Sequence, residues 1–310
     1  MSAGPGQGQG PGQGQGKIYD LGYKRYVGSR RAVATRWKVI MRHQLATAWK
    51  GWWRLKMPLT SAVLATVTTG VVMYVLRGDV LRMMTGMHGE VVRFADGLIP
   101  LSIVWYEKIA FLISLLVGAQ IVAGDVQSGA FTFYFARSLR PRDYVLGKLA
   151  ALGLLLALVM LAGPLVLAGV RVGLSDPGEI LASLPLVPRT LAIGALGTVI
   201  YAVVPLGFSA AVSNPRHAMA LWAAYDVVIG SIVNQLGAHV SPAIAALDLP
   251  SALQSVALEL FDVHGSPGLT RTHIPIGFAL GSIAVQAAIA IAVVTWRVRR
   301  AQQTGVGGGA

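Results

Sequence analysis

The chain has 310 residues, of which 54% are hydrophobic and only 13% charged, with a mean hydropathy of +0.61. Soluble domains carry about 25% charged residues, so an apolar excess of this size has to face lipid rather than fill one water-exposed domain. The formal net charge is +13, and cysteine is absent, which excludes disulfides, a thiolate metal site and a cysteine nucleophile.

Residues 1–16 are Gly/Gln/Pro repeats with no apolar face, and a disordered tail is expected there. Residues 17–56 hold 11 of the 26 Lys/Arg and a single acid, Asp20. From Arg36 the pattern turns helical. Trp37, Met41, Leu45, Ala48 and Trp52 recur at helical spacing, while Lys38, Arg42, Lys50 and Arg54 differ by multiples of four and share the other face. With Trp49 beside them, these residues predict an amphipathic elbow helix lying in the interface and touching membrane lipid. A nucleic-acid surface is the competing reading of a basic run. Here the charges interleave with Trp and lead straight into a span, so no nucleic acid is expected.

The first apolar run, Met57–Leu76, counts 20 residues between Lys56 and Arg77, about the length that crosses a bilayer core. It lies behind a basic segment, so insertion through the chain's own helices is expected in place of an early signal peptide. Residues 78–100 are expected to form a loop. Its Met83, Met84, Met87 and His88 fit interfacial packing better than a copper site. Span two is expected over 102–124, with Glu107 and Lys108 near its outer end. Span three, 149–170, is bounded by Lys148 and Arg171 and bent at Pro164. A link over 173–188 contains an Asp176-Pro177-Gly178 turn. Span four covers 190–212, and span five, 218–236, contains Asp226. Residues 239–272 form a second loop, in which Ser251 is expected to cap a surface helix with Leu253, Val256, Ala257, Leu260 and Phe261 on one face. Span six, 274–296, closes on Arg297, Arg299 and Arg300, and residues 301–310 are expected to be flexible. The fold class is therefore an all-α polytopic membrane protein, with six transmembrane helices over 57–300. With the N-terminus inside, the segments on that side hold 19 Lys/Arg and the opposite side 7. That asymmetry predicts both termini in the cytoplasm.

The stretch between spans two and three, Ala123–Leu149, carries the most specific pattern. It opens on Asp125, Ser128 and Gly129. Then come Phe131, Phe133, Tyr134 and Phe135, followed by Arg137, Arg140, Pro141, Arg142, Asp143 and Tyr144, with Gly147-Lys148 at its end. A solvent-facing loop is expected, on the basic side. Exposed aromatics flanked by arginines are costly in water unless something covers them, so a docking surface for a partner protein is expected.

This stretch resembles the loop after the second transmembrane helix in permease subunits of ABC-2-type ABC transporters. An acid, a Gly, a short helix, a Pro-basic turn and a Tyr-x-x-Gly-Lys run recur there in order. In this chain they read Asp125, Gly129, Ala130–Ala136, Pro141-Arg142 and Tyr144-Val145-Leu146-Gly147-Lys148. The resemblance implies a multi-pass subunit of a bacterial-type inner (plasma) membrane, with export the commonest direction. It implies a path formed by two copies, or by one copy and a similar permease. It also implies an ATP-binding-cassette ATPase subunit that binds ATP and Mg beneath each copy. The short coupling helix would sit in a groove of that ATPase, with Phe131, Phe133, Tyr134 and Phe135 as apolar contacts and Arg137, Arg140 and Arg142 as rim charges. Gly129 would allow a close approach or a sharp turn into the helix. Asp125 stands where the family often has Glu, and the aromatic density leaves open which ring is the anchor.

The chain carries no nucleotide-binding loop: Gly147-Lys148 lacks a Gly five positions before Gly147 and is followed by Leu149. Ser209 in Gly207-Phe208-Ser209-Ala210-Ala211 lacks the second Gly of a nucleophile elbow and reads as small-residue packing. No enzymatic activity, metal or cofactor of the chain's own is expected. Asp226 reads as the one acid well inside a span, with Asn234 on the same face. The pair either lines a translocation path or subunit interface, or is a neutral Asp bonded to another helix. The rival reading is an ATP-independent secondary transporter or channel. It calls for internal repeats and broken helices with charged midplane residues, and no convincing repeat is seen.

Overall fold

A computed structural model describes residues 35–77, 88–136, 139–175, 178, 180–263 and 274–307. The expectations for residues 1–34, Met83, Met84, Met87, Arg137, Asp176-Pro177 and residues 264–273 fall outside these. Among the described residues there is no strand. Helices α1 (Arg36–Lys50) and α2 (Met57–Arg77) are joined through a wide turn, Trp52–Lys56. They are followed by α3 (His88–Leu116), α4 (Ile121–Gln127), α5 (Ala130–Ala136), α6 (Pro141–Met160) and α7 (Ala162–Gly173). The rest are α8 (Ile180–Ser183), α9 (Leu186–Ala211), α10 (Pro215–Ala223), α11 (Gly230–His239), α12 (Pro242–Ala245), α13 (Leu249–Leu260) and α14 (Ile276–Gly307).

Six helical runs are long and apolar enough to span: Trp52–Leu76, Gly97–Gln127, Pro141–Gly173, Ile180–Ala211, Pro215–His239 and Ile276–Gln303. The chain is thus an all-α, multi-pass membrane protein. Spans two and four form the interior. In spans one, five and six only 11%, 17% and 17% of the apolar window is buried, so these three make the perimeter. At the centre, Trp222 is fully buried among Phe111, Tyr201, Phe208 and Tyr225, and its indole N–H donates to Ser114 Oγ (2.9 Å).

Four expectations are corrected. Residues 88–100 are helical, not a loop, because α3 begins at His88 and carries Pro100 within it. Membrane helices tolerate such a proline when neighbours satisfy the freed backbone. As a result Glu107 lies ten residues into the span Gly97–Gln127, about 15 Å along the axis, and not near the outer end. Second, span three begins at Pro141, where the residue before it is extended (Arg140 φ −91°, ψ 148°) and proline fits the first helical turn. Its break falls at Leu161, three residues before Pro164. Pro164 has no N–H for the Met160 carbonyl. Span four comes close at that same carbonyl, since a Cβ on Gly194 would stand 2.3 Å from Met160 O.

Third, Asp248 rather than Ser251 caps α13. Its carboxylate accepts from the Ser251 N–H (3.2 Å) and from the Ser251 hydroxyl. Fourth, α13 is not a surface helix. Leu249 to Ala257 are all buried, and the helix packs against α14, α3 and α9. The segment ahead of it folds back along spans five and six. A Cβ on Gly237 would meet Ala245 Cβ at 2.4 Å, and one on Gly230 would meet Asp248 Oδ1 at 2.3 Å. The Tyr225 hydroxyl donates to the Leu247 carbonyl (2.9 Å) and also meets Gln286 Oε1, while Gln286 Nε2 donates to the same carbonyl (3.3 Å). Residues 240–260 therefore re-enter the bundle to the middle of its spans. Irregular backbone survives at that depth only when protein groups satisfy it.

If spans three and four meet at the Met160 carbonyl, Gly194→Ala overpacks that contact, which typically costs about 1–3 kcal/mol. A Cβ on Gly153 meets no atom within 4 Å. The midpoint of thermal unfolding in mild detergent is expected to fall for Gly194→Ala and to hold or rise for Gly153→Ala. Equal midpoints would contradict the close approach.

Candidate functional site

The elbow and docking residues singled out in the sequence gather at one end of the bundle, the basic end. Helix α1 lies across the start of α6. Ile40 and Ala48 are buried, Trp37, Met41, Gln44 and Leu45 half-buried, and Lys38, Arg42 and Lys50 exposed. Gly147 permits this crossing, because a Cβ there would stand 2.7 Å from Ile40 Cβ and 2.8 Å from Trp37 O. The expected apolar face of the elbow thus exists, but it is turned onto α6 instead of lipid. Trp52 leaves that face. The chain is extended at Gly51 (φ −83°, ψ 103°), and Trp49, Trp52 and Trp53 all stay exposed. Lys56 Nζ sits over the Trp49 and Trp52 rings at 5.8 and 5.0 Å, a cation–π arrangement. Arg54 is exposed beside them.

Next to α1 is a compact polar knot. The Tyr144 hydroxyl donates to Asp125 Oδ2 (2.7 Å), and Lys148 Nζ pairs with the same oxygen (2.8 Å). Lys148 also donates to Gln44 Oε1 (2.9 Å) and lies 5.4 Å from the Tyr144 ring centroid. Tyr144 and Lys148 are four residues apart, so one face of α6 presents both. Tyr144 is fully buried, and the side chains of Lys148 and Asp125 are only 4% and 16% exposed. One carboxylate therefore joins α1, α4 and α6. The N–H groups of Val122 and Ala123, in the first turn of α4, both donate to Ser209 Oγ (3.0 Å each). Ser209, expected to be mere small-residue packing, thus fixes α4 to span four.

The knot carries α5. Gly129 has φ +67°, a conformation that favours glycine, and turns the chain from α4 into α5. No atom lies within 4 Å of a Cβ built there, so Gly129 serves the turn and not a close approach. Ser128 Oγ, exposed, donates to the Gly124 carbonyl (2.8 Å). Phe131 stacks on Phe135 (5.7 Å) and meets the Tyr144 ring edge-on (5.2 Å), and Tyr134 lies 5.6 Å from the same ring. Burial first, and the Asp125 carboxylate second, push the Tyr134 hydroxyl above its usual range. Helix α5 also packs on α14.

This arrangement separates residues that the sequence grouped together. Phe131 is 7% exposed and belongs to the core, so it is not a docking contact. Asp125 and Tyr144 are structural and not contact residues. Tyr134 and Phe135 are half-buried against the same cluster. Phe133 alone of the four aromatics projects outward, 76% exposed, with Arg140 and Arg142 exposed at the start of α6. The short helix expected over Ala130–Ala136 is present, but it is packed instead of solvent-facing, and Pro141–Lys148, expected in the loop, form the first turns of α6.

Mid-bundle, Asp226 is buried in a π-helical turn, Ala224–Ile229, and Asn234 is half-buried two turns on. They lie beside the re-entrant segment. Sequence reasoning missed Glu107, which is 1% exposed and accepts from the Tyr201 hydroxyl (3.3 Å). Asp226 is therefore not the one acid inside a span. The available signal was Pro100: read as helix-internal, it moves the span start outward and Glu107 inward. Among the described residues, no group of three or more His, Cys, Asp or Glu could hold a metal. No protein-family model matches the chain, and no curated protein matches it.

Removing one partner from a buried ion pair typically costs about 3–5 kcal/mol, because the other charge is left uncompensated. Lys148→Met is expected to lower unfolding stability in detergent by about that much. Adding Asp125→Asn should restore part of the loss, so the pair costs less than the sum of the singles. A neutral Lys148→Met would contradict the knot.

Proposed function

We propose that the chain is the permease subunit of an ATP-driven transporter of the ABC-2 type, working as an exporter. In this reading both termini and the basic end face the cytoplasm, and the membrane is a bacterial-type inner (plasma) membrane. Two copies, or one copy and a similar permease, form the path. A separate ATP-binding-cassette ATPase subunit binds ATP and Mg and docks under α5.

The observation that carries this reading is the contrast within α5. Phe133 is 76% exposed, yet the helix bearing it is keyed through Phe131 and Tyr134 to Tyr144, and through Tyr144 to Asp125 and Lys148. An exposed aromatic on a rigid mount is what a force-transmitting contact needs. A partner that moves Phe133 moves the end of span two, the start of span three and α1 together. Arg140 and Arg142 supply rim charges, and aromatic anchors flanked by arginine are typical of interface hot spots. A second reading, the ATP-independent secondary transporter, draws support from the interrupted spans three and five and from the buried Glu107 and Asp226.

Co-purification in mild detergent separates the two. A tagged chain is expected to bring down an ATP-binding-cassette ATPase in near-equal amount by mass spectrometry. Phe133→Asp should abolish that association with elution of the chain unchanged, whereas Tyr134→Asp should also disturb the fold. Undiminished co-purification of Phe133→Asp would contradict docking at α5. A solitary chain, even after crosslinking, would favour the secondary transporter.

A further inference from the structure

Between the end of α1 and the last turns of span two lies a pocket of about 440 Å³, lined among others by Gln44, Lys50, Arg54, Leu116, Gln120 and Asp125. Its size falls within the range of about 300–1,000 Å³ typical of small-molecule sites. It sits where span one begins at Trp52 and span two ends at Gln127. At that level headgroups meet acyl chains. Trp49, Trp52 and Trp53, the chain neighbours of its Lys50, Gly51 and Arg54, are exposed, as interfacial tryptophans are.

The wall chemistry is specific. Lys50 closes α1, and Arg54 folds back over Gly51, its Cβ and Cδ 3.4 and 3.6 Å from where a Gly51 Cβ would stand. Neither cation makes an ion pair with a described residue. The lining acid, Asp125, is already neutralised by Lys148 and bonded by Tyr144, so an anion entering the pocket does not meet a naked carboxylate. Gln44 gives its carbonyl oxygen to Lys148 and keeps its amide N–H groups for another acceptor. Deeper in, Leu116 and its neighbours continue the apolar surface of span two. Rim cations, amide donors and an apolar floor match a phosphodiester that carries an acyl chain.

We infer that this pocket binds an anionic glycerophospholipid from the surrounding membrane, its phosphate held between Lys50 and Arg54 and its acyl chain entering along span two. An anionic headgroup fits better than a zwitterionic one, because the one carboxylate that could receive an ammonium is spent on Lys148. Gln44 and Asp125 belong to both pocket and knot, so a bound lipid braces α1 against span two. The inference is independent of the transport reading.

The test is native mass spectrometry of the full-length, delipidated chain titrated with phosphatidylglycerol or phosphatidylcholine. One tightly retained phosphatidylglycerol is expected, with phosphatidylcholine much weaker. Lys50→Gln with Arg54→Gln should weaken phosphatidylglycerol retention roughly 10- to 30-fold, from the loss of two cations at an anionic headgroup. Lys38→Gln with Arg42→Gln, on α1 with Lys50 but outside the pocket, should leave retention unchanged. All four side chains are exposed, and monodisperse elution reports that each variant folds. Equal retention of the two lipids would overturn the assignment, as would equal losses in both double variants, which mark a diffuse basic surface. Displacement of the lipid by millimolar inorganic phosphate would overturn it too, since it marks a simple anion site.

Discussion

The Asp125 carboxylate receives the Tyr144 hydroxyl and the Lys148 ammonium on a single oxygen, at 2.7 and 2.8 Å, and the surrounding structure depends on that convergence. Burying a carboxylate is expensive unless it is paired and hydrogen-bonded. Each partner is therefore constrained: α4 must present Asp125, α6 must present Tyr144 and Lys148 on one face, and α1 must bring Gln44 to the lysine. Gly147 makes the last of these feasible by letting α1 lie directly on α6. Ser209 secures α4 from the other side by accepting two backbone N–H groups. Three spans and the elbow thus meet around one buried ion pair. The short helix α5 inherits its position from them, because its inward aromatics rest on the Tyr144 ring.

A mount of this kind suits a part that has to transmit motion. Hydrogen bonds and an ion pair in a region of low dielectric are stiff, and the ring contacts leave α5 little independent freedom. The perimeter contrasts with it. Spans one, five and six bury little of their apolar surface within the chain. The second polar region, around Tyr225, Asp226, Asp248 and Gln286, is tied to the re-entrant segment instead of the knot. The bundle thus has two polar centres on different elements, one at the basic end and one at mid-depth.

Much of this was legible in the sequence. Six apolar runs bounded by charges gave the spans, since a lone segment crossing lipid can satisfy its backbone only as a helix. The order of Asp125, Gly129, the aromatic run, Pro141 and the Tyr-x-x-Gly-Lys pattern located the region of the knot. What could not be read was direction. Phe131 and Phe133 are two residues apart and chemically identical, yet one is core and the other projects, because the turn at Gly129 sets the helix phase. The elbow's apolar face was correct, but its partner is α6 and not lipid. The helix of span two starts earlier than expected, with Pro100 inside it, since a membrane helix keeps a proline where neighbouring helices satisfy the backbone. The re-entrant segment was invisible for a related reason. Helix α13 is short and partly polar by composition, and its burial is supported by tertiary contacts the sequence does not show: the Ile274 N–H donates to its Ser255 Oγ, and Gln286 donates to the Leu247 carbonyl just ahead of it.

The most direct measurement exploits the absence of cysteine. A single cysteine is introduced by Phe133→Cys, and another chain carries Leu181→Cys, at a position 81% exposed near the start of span four. Both are treated in native membranes with a short bifunctional crosslinker, and the adducts are identified by mass spectrometry. The account predicts that position 133 captures an ATP-binding-cassette ATPase and that position 181 does not. Capture of no nucleotide-binding protein from position 133, or equal capture from both positions, would contradict the assignment of α5 as the contact through which ATP hydrolysis reaches the membrane helices.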